Sequence, residues 1–213
     1  MIAFSQLFDV ILHIDVYLNT FLSTYGFWTY AVLVAVIFCE TGLIVTPFLP
    51  GDSLLFAAGS LAAQPGNPLD IILLFGLLWL ASVLGNQLNY SIGKAIGPRV
   101  FNAEHSWLLN KKHLQETHAF YEKHGGKTII LARFLPIIRT FAPFIAGIGA
   151  MNWRAFTSYN LVSATLWVAS LLGLGYCLGA LPLVKTHFSV IVYAIIAVSL
   201  LPAIVAGIRA RWD

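Results

Sequence analysis

Charge is what this sequence has least of. Asp, Glu, Lys and Arg make up 10% of its 213 residues, against about 25% in a soluble domain. With 59% hydrophobic residues, the composition excludes an ordinary soluble fold and leaves an integral membrane protein of one domain, or of two halves of about 100 residues each. Cysteine is nearly absent: Cys39 and Cys177 both lie in apolar segments, with no CxxC or metal-ligand spacing. His105, His113, His118 and His124 recur at intervals of eight, five and six residues, which excludes the i, i+3 or i, i+4 pair of a helical metal site. No metal, cofactor or nucleic-acid partner is expected. Residues 1–26 contain no Lys or Arg, and Asp9, His13 and Asp15 interrupt their apolar residues, so a cleavable signal peptide is not expected. The helical spacing of Phe4, Leu7, Phe8, Ile11, Leu12, Ile14, Leu18 and Leu22 predicts instead an amphipathic helix at the membrane interface.

Long apolar runs are also missing where two of them should be. A span needs about 20 uninterrupted apolar residues. The run from residue 27 meets Glu40 and then Pro47, Pro50, Gly51 and Asp52, and the run from 129 to 150 is interrupted by Arg133, Pro136, Arg139 and Pro143. Both are expected to be broken, re-entrant helical hairpins. Residues 70–93, 156–181 and 188–208 are continuous enough to span. Between 94 and 127 lies the one extended hydrophilic region, with half of the basic residues and a short helix expected over 111–124. The positive-inside rule makes this region and the C-terminus cytoplasmic.

The expected fold is an all-α integral membrane protein in a single polytopic domain. An amphipathic helix (1–26) precedes a first half of hairpin plus span (27–93), the basic region (94–127) and a second half of hairpin plus two spans (128–208). The halves follow one plan in opposite orientation. Paired interrupted segments of this kind point to a transporter site at a repeat interface.

Four charges fall in the broken segments: Glu40, Asp52, Arg133 and Arg139. Arginine inside a membrane is a functional-site hypothesis by default, and in an unbroken helix the two arginines would lie about 240° apart. Pro136 breaks the helix between them, so both can address one ligand. Planar guanidinium groups suit phosphate or carboxylate, and intramembrane carboxylates serve as proton carriers. Glu40 and Asp52 are therefore candidates for proton coupling, and Arg133 and Arg139 for substrate binding. The structural alternative is that acid–arginine pairs only hold two hairpins together, with Asp52 an N-terminal helix cap. Asn86, Gln87, Asn89 and Tyr90 either line the same cavity or bond between helices. Trp28, Trp79, Trp107, Trp153, Trp167 and Trp212 are expected as interfacial anchors. Gly147, Gly149, Gly173, Gly175 and Gly179 are expected to favour close helix packing.

Phe38-Cys39-Glu40-Thr41-Gly42, Pro47-Phe48-Leu49-Pro50-Gly51-Asp52-Ser53-Leu54-Leu55, Tyr121-Glu122-Lys123-His124-Gly125-Gly126-Lys127 and the stretch from Arg133 to Pro143 resemble the bacterial DedA family, relatives of the SNARE-associated Golgi proteins and VTT-domain scramblases. The resemblance covers nearly the whole chain. It implies a multi-pass protein of the bacterial inner membrane with two inverted re-entrant hairpins. It also implies transport that depends on the proton motive force, with undecaprenyl phosphate recycling assigned to some members and phosphatidylethanolamine handling, envelope integrity and alkaline tolerance linked to others. The family's essential acids match Glu40 and Asp52, and its essential arginines match Arg133 and Arg139. Asn86 stands where relatives often carry Asp.

The function expected is translocation of a phosphate-bearing lipid, polyprenyl phosphate or phospholipid, between leaflets, with protons as the second partner. Undecaprenyl phosphate is the first candidate. The alternative is a proton-coupled antiporter of a small cation or drug. An enzyme is not expected, since no histidine falls in a broken segment to serve as nucleophile. A homo-oligomer is left open.

Overall fold

The computed structural model describes residues 14–43, 51–101, 126–179, 181 and 190. The described residues are helical, without strands, in seven helices: α1 Ile14–Tyr25, α2 Trp28–Gly42, α3 Gly51–Ala62, α4 Ile71–Phe101, α5 Lys127–Ala132, α6 Pro136–Ile148 and α7 Trp153–Gly179. Two, α4 and α7, are long and apolar enough to cross a membrane. At 1.5 Å per residue, α2, α3 and α6 reach only about 18–23 Å and α5 about 9 Å, short of a hydrocarbon core of about 30 Å.

The described residues fall into two compact units. The first takes in 14–37, 51–81 and 166–179, the second 38–43, 82–101 and 126–165. In the first, α1 ends where Gly26 adopts φ +52° and its N–H donates to the Leu22 carbonyl at 2.8 Å, a left-handed stop that glycine takes without a Cβ penalty. Leu18 and Leu22 of α1 are buried, and α1 packs on α3. All of α3 except Asp52 and Ala62 is buried, because it is apolar around its whole circumference. α7 lies against it at glycine contacts. A methyl group on Gly59 would stand 2.2 Å from the Leu172 carbonyl oxygen, and one on Gly175 2.2 Å from that of Phe56. Asp70 starts α4: its Oδ1 accepts from the N–H groups of Ile72 and Leu73 at 2.8 Å each, and its own N–H donates to the Tyr30 hydroxyl at 2.8 Å.

The second unit is built on the C-terminal part of α4. Tyr90 stacks on Phe156 with ring centroids 4.4 Å apart, and both pack with Ile129, Ala132, Ala142 and Ala146. The Tyr90 hydroxyl donates to the Met151 carbonyl at 2.5 Å. Asn152 caps α7, accepting from the N–H groups of Arg154 at 2.9 Å and Ala155 at 3.3 Å.

Several expectations change. α4 does not stop at residue 93 but continues to Phe101; charge beginning at Lys94 marks the end of the apolar run, not of the backbone hydrogen bonding. α6 runs through Pro143 rather than breaking there, because a lone proline deletes one i→i−4 bond while its neighbours keep theirs. Trp167 is no interfacial anchor: it is 1% exposed, whereas Trp28 and Trp153 are exposed. Residues 1–13, Pro47, Pro50, the helix expected over 111–124, the span expected over 188–208, Trp107 and Trp212 lie outside the described residues.

Candidate functional site

The two arginines owe their placement to Pro136. Having no N–H, it opens α6 at the first helical position and pushes Leu135 into extended backbone, φ −115° and ψ 104°. α5 has already stopped at Ala132, and the turn closes through the Leu135 N–H to the Ala132 carbonyl at 3.0 Å. Arg133 thus lies in the break, and Arg139 in the first turn of α6. Both are buried, 2% and 3% exposed, and both belong to the second unit.

Their surroundings differ. Arg139 Nη2 forms an ion pair with Glu40 Oε1, and Glu40 is wholly buried near the C-terminal end of α2. Arg133 donates to the oxygens of three polar side chains. Its Nη1 donates to Asn160 Oδ1 at 3.2 Å and to Ser163 Oγ at 3.1 Å, and its Nη2 donates to Ser82 Oγ. Ser163 in turn donates its proton to the Asn160 carbonyl at 3.0 Å, which leaves its lone pairs facing the guanidinium. Asn160 Nδ2 donates to the Val83 carbonyl at 3.0 Å, and Asn160 Oδ1 also accepts from Asn86 Nδ2 at 3.1 Å.

One face of α4 carries most of this. Ser82, Gly85, Asn86, Asn89 and Gly93 fall within about 100° around the helix axis. The glycines bring neighbouring backbones into contact. A methyl group on Gly85 would stand 2.9 Å from the Phe38 carbonyl of α2, and one on Gly93 2.1 Å from the Phe144 carbonyl of α6. Gly147 of α6 meets α4 in the same way, 2.1 Å from the Tyr90 carbonyl. Between these contacts Asn89 Nδ2 donates to the Thr140 carbonyl at 2.8 Å and to the Thr41 carbonyl at 3.3 Å. It therefore ties the neighbour of Arg139 to the neighbour of Glu40. Asn86 and Asn89 do bond between helices, as one of the two sequence readings has it, and Gln87 accepts from Thr157 Oγ1 at 3.2 Å.

Asp52 belongs to the first unit. It stands in the first turn of α3, where Oδ1 accepts from the indole N–H of Trp167 at 2.9 Å. Gly51 opens α3, where a break was expected. The three oxygens on Arg133 (Ser82, Asn160 and Ser163) were not singled out from the sequence. The available signal was weak: Asn160 and Ser163 share a face at i, i+3 spacing in an otherwise apolar span. Among the described residues no group of three His, Cys, Asp or Glu side chains could hold a metal ion.

The comparisons with known proteins agree on one family. The VTT domain matches residues 49–177. The chain is 49% identical to Protein DedA of Escherichia coli (strain K12) over 95% of this chain and 93% of the relative. It is 46% identical to the uncharacterized membrane protein Rv0364 of Mycobacterium tuberculosis, over 83% of this chain and 78% of that one. To the inner membrane protein YghB of Escherichia coli (strain K12) it is 37% identical, over 74% and 71%. No solved structure matches it. These relatives, together with the lengths of α4 and α7, make it a multi-pass inner-membrane protein. The chain belongs to the VTT-domain, or DedA, family of membrane proteins.

Proposed function

We propose that the chain translocates a phosphate-bearing lipid, undecaprenyl phosphate first among the candidates, between the leaflets of the inner membrane, with protons as the coupling ion. The observation that carries the proposal is the buried pair of Arg139 and Glu40, in one unit with buried Arg133. A guanidinium held by a carboxylate is a phosphate site that another anion competes for. Protonating Glu40 removes the charge that holds Arg139 and releases it to a phosphate head group; deprotonation restores the pair and displaces the ligand. Arg133, oriented by Ser82, Asn160 and Ser163, supplies the second guanidinium, and bidentate guanidinium contacts are the strong ones for phosphate. Asp52, the second carboxylate, takes the same kind of coupling role from its place at the start of α3.

The shortness of α2, α3, α5 and α6 favours re-entrant hairpins, arranged as an inverted repeat of residues 27–93 and 128–208, with only the head group crossing a polar path while the polyprenyl chain stays in lipid. The small-cation antiporter gains no support from the site, because Glu40, which would have to bind the cation, is engaged by Arg139.

Binding of labelled undecaprenyl phosphate to purified protein tests the exchange. Arg133→Gln and Arg139→Gln should each weaken binding at least tenfold, and Glu40→Gln should strengthen it at neutral pH. Unchanged binding in both arginine variants, with the fold intact, would remove the proposal.

A further inference from the structure

The face of α4 that builds the site also carries two oxygens that the arginine networks leave over. Arginine has only donors, so Asn160 must present Oδ1 to Arg133 and turn Nδ2 to the Val83 carbonyl. Asn86 reaches that same Oδ1 and must therefore present Nδ2. Its own Oδ1 is then a buried acceptor that meets no donor among the described residues. Asn89 commits Nδ2 to two carbonyls, and its Oδ1 is left in the same condition. The two side chains are 3% and 0% exposed, and a buried acceptor without a donor is unfavourable.

Each of these oxygens belongs to a residue placed beside an arginine. Asn86 and Arg133 share Asn160 Oδ1 at 3.1 and 3.2 Å, and Asn89 is bonded to the carbonyl of Thr140, the residue after Arg139. Guanidinium groups offer donors to the charged oxygens of a phosphate. The carboxamide oxygens ask for the opposite, a ligand that brings a proton of its own. A phosphate monoester brings both, since its monoanion has one P–OH beside its charged oxygens and its second ionisation lies at about pH 6. A phosphodiester has the charge and no P–OH.

We propose that Asn86 and Asn89 are specificity-determining residues that accept the P–OH hydrogen bond of a phosphate monoester, so that the site takes monoesters in preference to diesters. One helical turn apart on α4, they offer that proton two acceptors on the face that carries the arginine networks. The inference rests on the lipid-phosphate reading above and adds a chemical class to it.

The test is displacement of labelled undecaprenyl phosphate from the full-length protein in liposomes by three competitors: a polyprenyl phosphate, its methyl phosphodiester and inorganic phosphate. At about pH 5, below the second ionisation, the monoester should displace about tenfold better from the wild type than the methyl ester does, the size of one hydrogen bond. Asn86→Ala with Asn89→Ala should bring that ratio close to one. Weak displacement by inorganic phosphate supports a lipid head group. Displacement as strong as the lipid's supports the same acceptor role toward a soluble phosphate. Equal displacement by monoester and methyl ester, both lost in Arg133→Gln plus Arg139→Gln, overturns the monoester preference and leaves the lipid-phosphate reading standing. No displacement by either lipid removes both. The wild-type comparison needs no variant, so a double-alanine protein that does not fold leaves the test in force.

Discussion

Glu40 and Asp52 are both carboxylates at the ends of short apolar helices, and the two units treat them differently. Asp52, in the first turn of α3, accepts from a neutral indole N–H, amid glycine contacts and aliphatic packing. Glu40, near the end of α2, holds a guanidinium, in a unit dense with serine, threonine and asparagine. Neutralising Glu40 breaks a buried ion pair with Arg139, whereas neutralising Asp52 weakens a hydrogen bond from an indole. The lesson is that the two acids, though alike in sequence setting, should answer differently to neutralisation.

The sharpest break of the comparison is at the ion pair. Glu40→Ala or Arg139→Ala should each cost about 3–5 kcal/mol, because either breaks a buried ion pair. Glu40→Gln with Arg139→Gln should cost less than the sum of the singles, as read by thermal unfolding in a double-mutant cycle. Next comes Trp167→Phe, which removes the indole hydrogen bond to Asp52 Oδ1 and should cost about 1.5–3 kcal/mol. Transport should survive in part, since the ion pair of Glu40 and Arg139 is untouched, which a flux assay at matched protein level would read.

Glycine gives a subtler contrast. Gly59→Ala and Gly93→Ala drive a methyl group into a backbone carbonyl at similar distances, 2.2 and 2.1 Å, and both should destabilise by about 1–3 kcal/mol. Only Gly93→Ala should also weaken lipid binding per folded molecule, because it moves α6, which carries Arg139. The smallest effect expected is from Tyr90→Phe, about 1 kcal/mol for the hydrogen bond to Met151, with the ring stack on Phe156 retained.

What the sequence made legible was local chemistry. Pro136 announces the break because a missing N–H acts on its own neighbours whatever the fold. Arg133, Arg139 and Glu40 stand out because charge is costly in an apolar segment. Which arginine Glu40 meets was not legible, since the pair joins residues 99 apart and depends on how α2 and α6 pack. Asn160, Ser163 and Ser82 stayed hidden for a related reason. Uncharged polar residues occur in many membrane helices, and only the packed structure shows that these three converge on one guanidinium. Pro143 and the far end of α4 misled in the opposite direction, because a helix once formed tolerates one lost bond and does not end where apolar residues do. The buried Trp167 shows the limit of composition: an aromatic with a polar tip suits an interface, and equally a core that holds a carboxylate.

The most direct measurement of the central claim is the leaflet exposure of labelled undecaprenyl phosphate in liposomes containing the purified protein, with and without a proton gradient. Crossing should be faster under the gradient, lost in Arg133→Gln plus Arg139→Gln and uncoupled from the gradient in Glu40→Gln. Crossing that proceeds alike in all three proteins would contradict that claim.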